Sequence, residues 1–345
     1  MKKAIVWIGI AISIVALVLV LTQEKIDWGR VGSSLQTINW WWILATLIPY
    51  VLTIAGKVFR WRVLLYPDRP RLSKLNNGLL ISYLFNIALP ARPGEVIRAY
   101  YVAEMEGISF VRLLSTIFVE KVLDILTLVL LLAVVLPFAP LPSELQGPAI
   151  FLSVLFFALF VVIMLFALKP QLGIKAVAFA TRPLPASIGS KINGIAEQVI
   201  KGLEPLANPR LTLPLVGWSL FTWLTNAGTT LTVVLAFNLP VPLITASLLI
   251  TILFNLGMSI PTQGGLGVFE YIVTLILKQV FGQPDDSANL SFAFVLHIIG
   301  YLPLAIVGFV IMLVEGLSWG SLTSAAGSAN KQVEPPVVQE VERVA

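Results

Sequence analysis

Twice in this chain an apolar run of membrane length is cut by proline and glycine, and the two cuts repeat one another. The first reads Leu89-Pro90-Ala91-Arg92-Pro93-Gly94-Glu95, the second Ile260-Pro261-Thr262-Gln263-Gly264-Gly265. Pro90 to Pro261 and Gly94 to Gly265 are both 171 positions apart, and Phe85-Asn86 and Phe254-Asn255 precede the two cuts at 169. A helix interrupted at membrane depth frees backbone groups that lipid cannot satisfy. Such a break survives only where it is buried in protein or lines a wet cavity. Paired breaks in corresponding positions of two halves point to a site between repeats.

The rest of the chain agrees with a membrane setting. Only 12% of its residues are charged and 57% are apolar, against roughly 25% charged in a soluble domain. Several runs approach or exceed the ~20 residues that span the hydrocarbon core. The expected class is an all-α polytopic membrane protein. Cysteine is absent and His297 is the single histidine, so no disulfide framework, thiolate nucleophile, His-ligated metal or other cofactor is expected. The net charge of +5 implies no nucleic-acid partner, because the basic residues follow topology.

Lys2-Lys3 and the apolar run 4–21 read as an uncleaved first helix. Residues 22–39 are expected at the outer surface, and Trp40-Trp41-Trp42 open the second span as an interfacial belt. That span is expected to end near Gly56, before a cytoplasmic loop crowded by Lys57, Arg60, Arg62, Arg69, Arg71 and Lys74. Residues 76–107 hold an apolar arm, the first break and a short second arm. Arg112 follows, and the next span ends in the uncharged-to-acidic loop 137–147, so the segment 76–107 must enter and leave on the cytoplasmic side. It is expected to be a re-entrant hairpin. A span over 149–168 leads to a cytoplasmic segment, 169–210. Within it Ile188, Ile192, Ile195, Val199 and Leu203 recur at helical spacing, either as an amphipathic surface helix or as a linker helix packed on the bundle.

The second half repeats this from the outside: a span over 211–237, a broken hairpin over 243–281, a span over 290–314. Of the 23 Lys and Arg, 17 fall on the inferred cytoplasmic side, which puts both termini there, in the cell membrane. The expected architecture is an inverted repeat of span–re-entrant hairpin–span units, about seven full spans plus two broken hairpins. It forms one domain over 1–317, with repeats over 40–138 and 211–314, and a disordered cytoplasmic tail over 318–345.

The candidate substrate-binding residues are Arg92, Gly94, Glu95 and Arg98 at the first break, with Gln263, Gly264, Gly265 and Glu270 at the second. Half-helices beginning at Glu95 and near Leu266 would aim their N-terminal ends at the breaks, where anions bind readily. Arg92 adds a charge shaped for phosphate. The plainer alternative is that Pro and Gly only kink packed helices and Glu95 caps its own. Glu120, Lys121 and Asp124 would each cost about 2.5–3.5 kcal/mol at the bilayer centre. They must therefore face partners or water, as a gate, as counter-charges to Arg92 and Arg98, or as a structural ion-pair network. Glu270 suits a cationic headgroup or a basic residue of the other repeat, and burial of Glu120 or Glu270 would open the way to proton coupling. Asn86, Pro90, Asn255 and Pro261 are read as structural, His297 as a packing residue, and Lys57, Arg60 and Arg62 mainly as topology determinants.

Three blocks stand in order: Asn86 with Leu89 to Glu95 and Arg98-Ala99-Tyr100; Glu120-Lys121-x-x-Asp124; and Pro261 to Val268 with Glu270. On these the chain resembles, over most of residues 5–315, the flippase-like membrane family typified by the transmembrane region of lysylphosphatidylglycerol synthases. That family's second motif often carries Pro before its glycines, and Arg at the place of Lys121. Here Gln263-Gly264 and Lys121 stand there, which keeps the charge but alters its hydrogen-bonding geometry. The resemblance implies a translocating region without the synthetic domain of aminoacyl-lipid synthases, since about 30 residues follow Val314. The implied function is flipping of a phospholipid or lipid-linked headgroup through a polar cavity between the hairpins, without enzymatic activity. The implied partner is an anionic, aminoacylated or polyprenyl-linked lipid. The alternatives are a non-catalytic membrane partner of a separate lipid- or glycan-modifying enzyme, and an intramembrane transferase using Glu95 or Glu120 as base. An oligomer is compatible with each.

Overall fold

The computed structural model describes residues 26–89, 92–141, 143–183, 208–257 and 264–320, with isolated positions at 15, 18, 185, 189–190, 192–194 and 322. The expected first helix, most of the proposed amphipathic helix and nearly all of the tail lie outside the described residues.

All regular structure among the described residues is helical. In chain order the helices are α1 Trp28–Gln36, α2 Trp40–Ala45, α3 Leu47–Leu64, α4 Leu72–Ala88, α5 Gly94–Glu106, α6 Phe110–Val135, α7 Ser143–Leu168, α8 Pro170–Ala180, α9 Pro209–Ala236, α10 Leu243–Gly257, α11 Val268–Gln279 and α12 Asp286–Val314. Several starts follow from the local sequence. The Asp27 carboxylate accepts from the Gly29 and Arg30 amides, Asn39 from Trp41, Asn208 from Arg210, and Asp285 from Ser287 and Ala288. Each supplies a partner for amides that the first helical turn leaves unbonded.

Among the described residues four helical stretches are long and apolar enough to cross a membrane: Trp40–Leu64, which joins α2 and α3, Phe110–Phe138, Gln146–Phe166 and Asp286–Val314. Their outward residues, Phe151, Val154 and Phe157 on α7 and Ile306, Val310 and Leu313 on α12 among them, lie bare on the surface. Such a surface needs lipid around it, and the chain is a polytopic helical membrane protein. The 28-residue α9 is also long enough at ~1.5 Å per residue. It is less apolar because its Ser219, Thr222, Thr229 and Thr230 are buried against protein rather than lipid.

The expected end of the second span near Gly56 is corrected. α3 continues to Leu64, because Val58, Trp61, Leu64 and Leu65 carry its apolar stripe into the core. α3 and α9 form the central pair. A Cβ on Gly56 would stand 2.5 Å from the Thr222 hydroxyl, and the Thr53 hydroxyl donates to that of Thr225 at 2.9 Å. α4 packs on α5 and on α12, while α10 packs on α11 and on α6.

The ends of each broken segment lie side by side. Arg71, before α4, pairs with Glu106, at the end of α5, at 2.7 Å. Gln283, after α11, donates to the carbonyl of Pro240, before α10, at 3.3 Å. These two mouths sit at opposite ends of α12. Glu315, just past its last turn, receives Lys74 Nζ and Asn77 Nδ2 of α4 at 2.7 Å each, and the Tyr101 hydroxyl of α5 at 2.5 Å. At the other end Asp286 pairs with Lys278 of α11 at 2.8 Å.

The tie at Glu315 has a testable pH dependence. Burial alone would push its carboxyl up, but the bonds from Lys74, Tyr101 and Asn77 outweigh it and hold the group below the usual carboxylate range. A lowered folded-state value means that the tie contributes in full above the ordinary value of 4.5 and fades as pH falls through the folded one. Glu315→Gln is expected to lower stability by about 1–2 kcal/mol at pH 7. The difference from wild type should vanish in the acid limb of a thermal-unfolding series.

Candidate functional site

The two breaks open onto one cavity of about 440 Å³, walled by α3, α4, α5, α6, α9, α10, α11 and α12. Arg92 enters from the first break and Gly264 from the second. A Cβ on Gly264 would stand 3.9 Å from the Ile87 carbonyl oxygen, so the two interruptions are neighbours. Both need left-handed backbone. Gly264 and Gly265 have φ of +60° and +80°, and Arg92 has φ of +50° without being glycine. A non-glycine residue held there stores about 1–3 kcal/mol of strain, which folds tend to keep at functional positions.

At the first break α5 starts at Gly94 with Pro93 before it. The Asn86 side-chain oxygen accepts from the Gly94 amide at 2.8 Å, so α4 supplies a partner that the interrupted chain lacks. From this half-helix outward runs a ladder of alternating charge. Lys121 Nζ meets Glu95 at 2.8 Å, Glu95 lies 3.7 Å from Arg98, and Arg98 binds Glu120 at 2.5 Å. Glu120 faces Arg60 at 3.4 Å, and Arg60 binds Asp124 at 2.7 Å. The Trp223 indole donates to Asp124 at 3.0 Å and ends the ladder on α9. Arg98 also lies flat over the Trp61 ring, 3.8 Å from its centroid. Three cations face three anions, so the ladder is electrically closed, and it ties α3, α5, α6 and α9 together.

Lys57 stands apart from this ladder. Its Nζ donates to the Tyr83 hydroxyl at 2.7 Å and lies 5.4 Å and 5.9 Å from the Tyr83 and Trp223 ring centroids. It lines the cavity with the neutral polar side chains of Ser82, Asn86, Asn226, Thr229, Thr230 and Asn255.

The second break is built differently. α11 begins at Val268, and the Glu270 carboxylate turns back to accept from the Gly267 amide at 2.7 Å. Its other oxygen lies 2.6 Å from His297 Nδ1, and His297 Nε2 lies 3.0 Å from the Gly264 carbonyl oxygen. The imidazole stacks on Phe269 at 4.5 Å and meets Tyr301 edge-on at 5.2 Å.

Of the residues singled out from sequence, the structure brings Arg92, Glu95, Arg98, Glu120, Lys121, Asp124, Asn86, Asn255 and Gly264 to the cavity wall. Gly94 is packed behind it against α4. Pro90, Pro261 and Gln263 lie outside the described residues. Glu270 was expected to meet a headgroup or a basic residue of the other repeat. Instead it is fully buried and partnered by the histidine of its own half. Asn255, expected as structural, donates to the Thr251 carbonyl within its own helix at 2.7 Å.

Arg60 was read as a loop charge marking topology. It is fully buried at the centre of the ladder, because α3 does not end before it. Lys57 was read the same way, and it lines the cavity. His297, expected as a satisfied packing residue, is buried and stacked on Phe269, and its two ring nitrogens meet Glu270 and the Gly264 carbonyl. Among the described residues no group of His, Asp and Glu is arranged to hold a metal ion.

Fold and site together define a polytopic helical membrane protein with two interrupted segments meeting on a charged, partly enclosed cavity. The family described as the lysylphosphatidylglycerol synthase transmembrane region matches over residues 6–308, and the chain belongs to it. The chain is also similar to a protein named glycosyltransferase AglD from Haloferax volcanii, at 25% identity over 307 residues. That match takes in 80% of this chain and 49% of the relative, so the chain spans about half the length of that curated protein. No solved structure matches it.

Proposed function

We propose that this protein moves the polar headgroup of a phospholipid or lipid-linked sugar across the cell membrane, while the hydrocarbon tails stay in lipid. The observation that carries this reading is the cavity bordered by both breaks and by the charge ladder. Charged side chains at membrane depth are costly and mark pathways. An irregular backbone at that depth belongs beside water or substrate.

The two broken segments would be re-entrant hairpins of an inverted repeat. Supporting this, the ends of each segment are tied to each other, and the two mouths sit at opposite ends of α12. The α4–α12 pairing in one half corresponds to α10–α6 in the other, and α3 pairs with its own counterpart α9. The Lys and Arg bias supports a cytoplasmic mouth for the first hairpin.

The chemistry of the wall favours a headgroup with phosphate and hydroxyls. Lys57, Arg92, Arg98 and Lys121 on the wall, with Arg60 behind Asp124, outnumber Glu95, Glu120 and Asp124 by two, and neutral hydrogen-bonding side chains share the rest with apolar ones such as Leu79, Ile125 and Leu128. Arg92 and Lys57 line the same wall beside the ladder. In liposomes carrying a fluorescent anionic lipid, Arg92→Ala and Lys57→Gln are each expected to slow flipping about tenfold or more, the loss of one charge-assisted hydrogen bond. Rates equal to wild type in both variants would defeat this assignment.

A second reading has one observation behind it: the chain is similar to about half of a protein named as a glycosyltransferase. In that reading the membrane region holds a lipid- or glycan-modifying enzyme without moving lipid. Co-purification of such an enzyme, with no flipping by the isolated chain, distinguishes the two.

A further inference from the structure

We propose that Lys57 and Tyr83 form an anion subsite on the cavity wall for the phosphate ester of a hydroxylated headgroup, and that the same wall turns away a headgroup ending in an ammonium. The inference rests on the translocation reading and deepens it, by naming the class of headgroup that the cavity takes. It starts from the setting of one charge. Lys57 lies inside the membrane-length stretch Trp40–Leu64, where an ammonium without a partner is costly. Among the described residues its partners are neutral: the Tyr83 hydroxyl at 2.7 Å and the rings of Tyr83 and Trp223. The cations of the ladder each meet a carboxylate; Lys57 pairs with none among the described residues.

The bond to Tyr83 has a fixed direction. An ammonium donates and cannot accept, so the tyrosine oxygen is the acceptor and keeps its own hydrogen to give. Both side chains line the cavity. Lys57 retains N–H groups beyond the one spent on Tyr83, so the pair presents a charged and a neutral donor side by side. Such a pair suits an oxyanion, and charge-assisted bonds to one are the stronger kind. The two aromatic faces steady the ammonium without neutralising it.

The position of the pair within the cavity brings in the hydroxyls. α3 and α9 run antiparallel: a Cβ on Gly56 would meet Thr222, Thr53 bonds to Thr225, and a Cβ on Gly228 would stand 3.2 Å from Pro49. Lys57 therefore lies at the end of the cavity nearer the ladder, less than a turn from Arg60. Away from that end follow Asn226, Thr229 and Thr230 on α9 and Tyr50 on α3, all on the wall. The cavity is polarised, with donors for phosphate beside the ladder and neutral hydrogen-bonding groups beyond them. A phosphate ester carrying glycerol or a sugar matches that order.

An ammonium finds no place in this arrangement. Lys121 holds Glu95, Arg98 holds Glu120, and Arg60 holds Asp124. Glu270 is buried against His297 and the Gly267 amide. Trp223, which donates to Asp124, also lies beside Lys57. An ammonium approaching that carboxylate thus meets Lys57 and Arg60 as well, and such repulsion discriminates between ligands alongside attraction to the right one.

Binding to the whole chain in detergent tests this without lipid movement. Dihexanoyl phosphatidylglycerol is expected to bind about tenfold or more tightly than its lysyl ester, which adds ammonium groups. Tyr83→Phe, which keeps the ring and loses the hydroxyl, and Lys57→Met are each expected to weaken phosphatidylglycerol about tenfold. Lys57→Met should also narrow the preference between the two lipids, and Lys57→Arg, which keeps the charge, should preserve it. Equal binding of the two lipids by wild type overturns the inference, and that comparison needs no variant to fold. Unchanged phosphatidylglycerol binding in both Tyr83→Phe and Lys57→Met overturns it too.

Glycerol phosphate, the same ester without chains, is expected to compete only weakly. If it binds as well as the lipid, the subsite serves a soluble phosphate ester and the assignment to a lipid headgroup falls. Charge-selective binding without flipping refutes translocation and leaves the subsite standing. Flipping without charge-selective binding refutes the subsite and leaves translocation standing.

Discussion

Arg60→Met is expected to be the most destabilising single change in the charge ladder, lowering stability by about 3–5 kcal/mol. Arg60 touches both Glu120 and Asp124, and its guanidinium is fully buried. Removing it leaves two carboxylates at the interface of α3, α6 and α9, with one cation, Arg98, bonded to only one of them. The hydrophobic replacement adds packing but no charge, so the cost is that of an uncompensated buried anion. The double variant Arg60→Met/Asp124→Leu restores the balance, with Glu120 still bound to Arg98, and is expected to recover most of the loss in thermal unfolding. A double variant no better than the single one would mean that shape rather than charge holds the helices. The ladder is not optimised for stability. Arg60 Nε and Nη2 and Arg98 Nε are buried without a hydrogen bond, and buried ion pairs are often no better than apolar packing. Arg98, Glu120 and Asp124 nevertheless line the cavity, which fits a functional demand on that wall.

The breaks could be read from sequence because prolines and glycines fall together at each, Pro90, Pro93 and Gly94 at one and Pro261, Gly264 and Gly265 at the other, whereas the separate Pro303 and Gly308 stay inside α12. The charge ladder could not be read in full, and Arg60 shows why. Counting basic residues treats a run of Lys and Arg as loop, and that rule has no term for a helix that continues through the run. A signal was present in the spacing: Ile54, Val58, Trp61 and Leu65 repeat at four, three and four positions, which carries an apolar face straight past Gly56. The Glu270–His297 pair was harder to see. Glu95 and Lys121 are 26 positions apart and Glu270 and His297 are 27 apart. That correspondence acquires meaning only after the first pair is known to touch. Glu270 was legible as a charge near a break, but not as the cap of its own helix, because its capping partner is a backbone amide of Gly267 rather than a side chain.

Gly94→Ala is expected to disrupt the packing of the first broken segment. The chain turns at Pro93-Gly94 so tightly against α4 that a Cβ on Gly94 would lie 2.1 Å from the Ser82 carbonyl oxygen and 2.6 Å from Asn86 Oδ1. The first contact is with backbone inside a helix and cannot be relieved by turning a side chain. The substitution must therefore push α5 away from α4. It would also break the bond from the Gly94 amide to Asn86. Because α5 carries Glu95 and Arg98, a shift of its first turn separates Lys121 from Glu95 and Arg98 from Glu120 together. One methyl group thus reaches the ladder through the helix start, and the expected loss of about 1–3 kcal/mol from overpacking is compounded by the strained ion pairs. Asn86→Ala removes the same amide bond without adding bulk, and it is expected to cost only about 1–3 kcal/mol. The comparison separates the two causes. If Gly94→Ala and Asn86→Ala lower the unfolding temperature and the flipping rate alike, the hydrogen bond alone sets the geometry of the turn. If Gly94→Ala is far the worse, the close approach of α5 to α4 is what places Glu95 and Arg98 on the cavity.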